Sequence, residues 1–127
     1  MASARILYLD DEEPLVFIVR RMLERLGYQV SGFTKAEDAL AAFSADPEAF
    51  DLVMSDMSMP GTNGIEFATA VLAVRPQAFV VIASGYVEAK DAERALAAGV
   101  RRVVQKPNTM DEMRQMVLEL LPVPSPP

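Results

Sequence analysis

Short apolar runs and helical periods alternate five times along this chain of 127 residues, and that alternation leaves few folds open. Residues 5–9 (RILYL) read as a buried strand. Pro14, Leu15, Ile18, Met22 and Leu26 follow at helical spacing, with Pro14 suited to a first turn and Gly27 to a C-terminal cap. Residues 28–33 alternate as a strand near a sheet edge does, and Thr34 then opens a capping box closing on Glu37. Ala39, Leu40 and Phe43 give that second helix its inner face, and LVMS (52–55) is the third strand. After the turn-forming MPGTNG, a third helix carries Ile65, Phe67, Ala68, Val71 and Leu72 and ends before Pro76. FVVIA (79–83) is a fourth strand, followed by an alanine-rich helix over 87–99 that stops at Gly99. RVVQ (102–105) is the fifth strand, and Thr109 with Glu112 forms a capping box for a last helix lined by Met113, Met116, Val117 and Leu120.

Strands that are apolar throughout need helices on both faces, so five such units predict a doubly wound parallel α/β sheet with five helices and strand order 2-1-3-4-5. The length suits one domain, expected over 1–121, with the proline-rich 122–127 as a tail or the start of a linker. The opening MASARILYL lacks the apolar segment of a secretory leader, and no apolar stretch is long enough to span a bilayer. A cytoplasmic location without membrane insertion is expected. The net charge of −6 opposes direct nucleic-acid binding, and Arg20, Arg21 and Arg25 read as one solvated helix face.

The chain has no cysteine and no histidine, which removes thiolate, zinc-thiolate and triad chemistries. What remains are carboxylates, hydroxyls, lysines and any hard cation held by oxygen. Asp10 and Asp11 follow the first apolar run, Asp56 the third, Ser84 the fourth and Lys106 the fifth. In an open parallel sheet those points share the carboxyl edge, where strands 1 and 3 meet at the switch point of the winding. Three acids gathered there suit Mg2+, beside an aspartate able to accept a phosphoryl group, with the Lys106 ammonium and Ser84 hydroxyl as partners for its charge. Pro107 after Lys106 predicts a tight turn, a cis bond being one way to make it. Each residue also has a plainer reading: Asp11 as a helix cap, Asp56 and Ser84 as turn residues, Lys106 as a solvated lysine.

As a set, LYLDDEEP, MSDMSMPGTNG, IASGY and QKP resemble the receiver domain of bacterial two-component response regulators, the CheY-like, flavodoxin-like family, from about Ile6 to Leu121. That resemblance implies that Asp56 is the phosphoacceptor and that Asp10, Asp11, Asp56 and the backbone carbonyl of Ser58 hold Mg2+. It implies that Ser84 and Lys106 read the phosphoryl group and that a histidine kinase or phosphotransfer protein is the donor. The family's aromatic switch on strand 5 is replaced here by Val103, and the often aromatic position after the Lys-Pro pair by Asn108. Tyr86 is then either a steric substitute or a loop residue shaping access to the site.

The function expected is a phosphorylation-dependent signalling switch that changes the binding of an output partner, not an enzyme beyond its own phosphorylation and slow dephosphorylation. A constitutive receiver-like scaffold is the alternative, and missing acids would favour it. A hydrolase would usually want a second acid at Ser58, and a nucleotide binder a glycine-rich loop after strand 1.

Overall fold

The structure, a computed structural model, describes residues 4–107 and 109–121. Asn108 and the segment 122–127 lie outside the described residues, so the expectations for them are not addressed by it. Five parallel strands, β1 (Arg5–Leu9), β2 (Gln29–Phe33), β3 (Leu52–Asp56), β4 (Val80–Ser84) and β5 (Arg102–Gln105), form one sheet in the order β2-β1-β3-β4-β5. They alternate with α1 (Glu13–Arg25), α2 (Ala36–Ala45), α3 (Gly64–Val74), α4 (Ala89–Ala97) and α5 (Met110–Leu120). This is the doubly wound arrangement that the alternation predicts.

The pleat sorts the strand residues between two apolar layers. Leu7, Leu9, Val53, Val80 and Ile82 pack with Ala39, Phe43, Phe67, Ala68, Val71 and Ala95 from α2, α3 and α4. Ile6, Tyr8, Leu52, Met54 and Val81 pack on the other face with Val16, Val19 and Leu23 of α1 and Met113, Val117 and Leu120 of α5. Both faces of the central strands are therefore sealed, which is why their sequences show no polar alternation.

Three local expectations are corrected. The buried stripe of α1 is Val16, Val19 and Leu23, with Met22 and Leu26 packed at its edge, while Leu15 is not part of it and Ile18 is 52% exposed. The phase is set by Gly32 on the edge strand: a Cβ there would lie 2.5 Å from Val16 Cγ1, so its absence is the slot into which Val16 fits. Helix α2 starts at Ala36 with Lys35 in the cap position and no side-chain cap, so Thr34 does not close a box with Glu37. The Lys106–Pro107 peptide is trans.

Other boundaries follow the chemistry expected of them. Gly27 takes φ 100° just past α1, a conformation that costs glycine nothing. Thr109 accepts from the Glu112 N–H at 3.1 Å and caps α5. The MPGTNG stretch holds more than a turn: Ser58–Met59 pairs antiparallel with Thr62–Asn63, and Asn63 Oδ1 then caps α3 by accepting from the Glu66 N–H at 2.8 Å.

Phe43 is the largest fully buried side chain and stacks on Phe50 with ring centroids 6.1 Å apart. Phe43→Ala is expected to cost about 3–5 kcal/mol, read as a lower midpoint in urea at unchanged m-value.

Candidate metal and phosphoacceptor site

The site residues stand where the sheet's hydrogen-bond ladder runs out. Asp10 N–H still donates to Phe33 O at 3.1 Å, Met57 N–H to Ala83 O at 3.0 Å and Lys106 N–H to Ser84 O at 2.7 Å. Each functional side chain is thus carried by backbone fixed on the neighbouring strand, at the carboxyl edge of β1, β3 and β5.

Oxygens of Asp10, Asp11 and Asp56 all lie within 4.8 Å of one another. Asp10 is completely buried, Asp56 8% exposed, and Asp11 lies on the solvent side. Lys106 Nζ lies 3.0 Å from Asp10 Oδ2 and 3.2 Å from Asp56 Oδ1, so its side chain reaches from β5 past β4 to both inner strands. Three carboxylates facing one ammonium leave a formal excess of two negative charges, which one divalent cation cancels. The donors are hard oxygens, the set that suits magnesium or calcium.

Asp10 does two jobs at once. Its Oδ1 accepts from the Glu12 N–H at 3.0 Å, satisfying a free donor at the start of α1, a helix whose own cap residue makes no side-chain bond. Its Oδ2 accepts from the Tyr8 hydroxyl at 3.1 Å as well as from Lys106. Tyr8 escapes a reading of the sequence, because an aromatic residue inside an apolar strand looks like core. The signal present is its place two residues before Asp10, on the same pleat face.

The electrostatics follow from this packing. Burial raises the Asp56 pKa above its ordinary 3.8; Lys106 opposes the rise, and the charges of Asp10 and Asp11 add to it. For Lys106, burial acts downward, but hydrogen bonding and attraction from Asp10 and Asp56 outweigh it and the pKa rises. Tyr8 is pushed far up by burial and by the charge and hydrogen bond of Asp10, so its hydroxyl keeps its proton.

Two further expected site residues, Ser84 and Ser58, stand at the end of β4 and just after β3. The Ser84 hydroxyl donates to Tyr86 O at 2.8 Å and accepts from the Tyr86 N–H at 3.3 Å, closing the loop after β4. Ser58 sits at the start of the antiparallel ribbon. Tyr86 is 78% exposed and does not fill the interior, while Val103 packs against the α2–α3–α4 layer. Gly64, first in α3, packs on the end of β3: a Cβ there would come 2.5 Å from the Asp56 carbonyl oxygen.

These features define a class: a doubly wound α/β domain with an oxygen-only acidic site at its switch point. A family model of the response regulator receiver domain matches residues 6–118, and the chain belongs to that family, the receivers of two-component phosphorelay signalling. The chain is 32% identical over 124 residues to the virulence sensor protein BvgS of Bordetella bronchiseptica, covering 92% of this chain but only 10% of BvgS. It is 29% identical over 125 residues to sporulation initiation phosphotransferase F of Bacillus subtilis, covering 98% of this chain and 99% of that one. Among solved structures, response regulator TrrA of Thermotoga maritima in complex with Mg(2+)-BeF superposes with TM-score 0.80 at 27% identity, over 93% of this chain and 99% of that one. Among the described residues no helix is long and apolar enough to cross a membrane.

A raised carboxyl pKa means that the folded chain binds the Asp56 proton more tightly than the unfolded chain, so stability falls as pH rises from about 3.8 through the folded value. Asp56→Asn removes the ionisation and keeps an acceptor for Lys106. In metal-free buffer it is expected to melt on the order of a few degrees higher at pH 7, an advantage that closes as pH is lowered toward 3.8.

Proposed function

We propose that this receiver domain is a phosphorylation-dependent switch whose phosphoacceptor is Asp56, loaded by a histidine kinase or histidine phosphotransfer protein. The observation that carries the reading is the bridging of Asp10 and Asp56 by Lys106 inside a cluster of three acids. All three acids of the site are present, which disfavours a constitutive scaffold.

With Oδ1 of Asp56 engaged by Lys106, Oδ2 is the oxygen that attacks phosphorus. A P–O bond forms as the P–N bond to the donor histidine breaks; the departing imidazole nitrogen keeps the electron pair, and the ring's other nitrogen carries the proton that leaves it neutral. Asp10, Asp11, Asp56 and the Ser58 carbonyl would hold Mg2+, which when bound supplies neutralising charge to the phosphoryl oxygens. Lys106 and Ser84 supply an ammonium and a hydroxyl to the oxygens on the opposite side. The Ser84 hydroxyl reaches them by giving up its bond to Tyr86 O, which ties modification to the loop before α4.

Small-donor labelling tests this. Acetyl phosphate with magnesium is expected to label the wild-type chain, to leave Asp56→Asn unlabelled, and to label Asp11→Ala far more slowly; labelling of Asp56→Asn at the wild-type rate overturns the assignment. With Val103 in place of an aromatic switch, amide shifts on activation are expected to be larger in the loop after Ser84 and in α4 than in β5. Shifts confined to β5 would contradict that route.

A further inference from the structure

Asp10 is fully buried and carries three donors: the Glu12 N–H on Oδ1, and Tyr8 and Lys106 together on Oδ2. At zero exposure Asp10 faces protein groups and not bulk solvent, so losing a donor is costly. Lys106 is the mobile member, since it also holds Asp56 Oδ1 and is the side chain that must follow new charge on Asp56. The Tyr8 hydroxyl is fixed: its ring packs in the α1–α5 layer on the strand that carries Asp10.

We propose that Tyr8 is a positioning residue of the site: its hydroxyl stays on Asp10 Oδ2 and satisfies that oxygen when Lys106 turns from Asp10 to a phosphoryl group on Asp56. This rests on Asp56 being the phosphoacceptor. Two donors on one oxygen are redundant in the unmodified protein, and the redundancy is what allows one of them to be released. A tyrosine is suited to this, because it delivers a neutral donor on a rigid arm and adds no charge competing for the metal or the phosphoryl group. Without the hydroxyl, Lys106 is the sole hydrogen-bond donor to that buried oxygen, and drawing it away removes the last one.

The test uses Tyr8→Phe, which keeps the ring and its packing, with amide NMR titrations of Mg2+ and then of beryllofluoride, a mimic of the aspartyl phosphate, at saturating Mg2+. Beryllofluoride affinity is expected to fall about tenfold, the scale of one hydrogen bond to a charged group, while Mg2+ affinity stays within about twofold because the metal does not require Lys106 to leave. In a Lys106→Met background the Tyr8→Phe effect is expected to vanish, since there is no ammonium to release. Equal beryllofluoride affinities of wild type and Tyr8→Phe, or an equal loss in both backgrounds, overturn the role of Tyr8 and leave the phosphoacceptor reading standing. A wild-type chain that binds Mg2+ but gives no beryllofluoride-dependent shifts around Asp56 overturns both.

Discussion

The Lys106 ammonium, set between Asp10 and Asp56, is the interaction on which this site depends. A carboxylate as buried as Asp10 is costly unless it is paired and hydrogen-bonded, and here it has a cation, a phenol and a backbone N–H. The pairing also fixes relations across the sheet. A side chain rooted past β5 holds groups on β1 and β3, so the edge of four adjacent strands acts as one electrostatic unit. Because one ammonium serves several acids, the unit stays short of positive charge, and that shortage makes it responsive to a cation.

The position of Asp56 is guarded from a second direction. Gly64 lets the first turn of α3 sit against the Asp56 carbonyl, and the Gly64 N–H donates to Met57 O at 2.7 Å. The short ribbon between Asp56 and Gly64 folds the chain back so that this contact is made locally. The backbone of Asp56 is therefore held by pairing with Ala83 on β4 and by the start of a helix, while its carboxylate answers to Lys106. Rigid backbone with a poised side chain is what pre-organised chemistry needs.

Much of this was legible in the sequence because the strands are short, apolar and cleanly ended. Asp10, Asp56 and Lys106 each follow a run whose limits cannot be moved without exposing core, so the topology brings them together with little freedom. Helix α1 was harder. Leu15, Val16, Phe17, Ile18 and Val19 are apolar in succession, so periodicity alone does not choose a face, and the choice falls to Gly32 on another element. The Thr34 box failed although its residues are right, because β2 extends to Phe33 and the helix begins only at Ala36. Asn63 capping α3 was readable from Asn63 and Glu66, but a turn-rich composition hid it. Tyr8 was hidden for a different reason: its ring obeys the core pattern, and only the hydroxyl carries information about the site.

The bond from Ser84 to Tyr86 has a consequence of arithmetic. A serine hydroxyl carries one proton, and here that proton is committed to the Tyr86 carbonyl, while the Tyr86 N–H approaches the same oxygen from the other direction. Any acceptor at Asp56 that draws the proton away takes it from the loop, and the loop can keep only the bond in which Ser84 is the acceptor. In the proposed switch, the Ser84 bond to Tyr86 O and engagement at the acidic edge are thus competing claims on a single hydrogen atom. On that reading a change of local chemistry becomes a change of surface even where no aromatic ring rotates to report it.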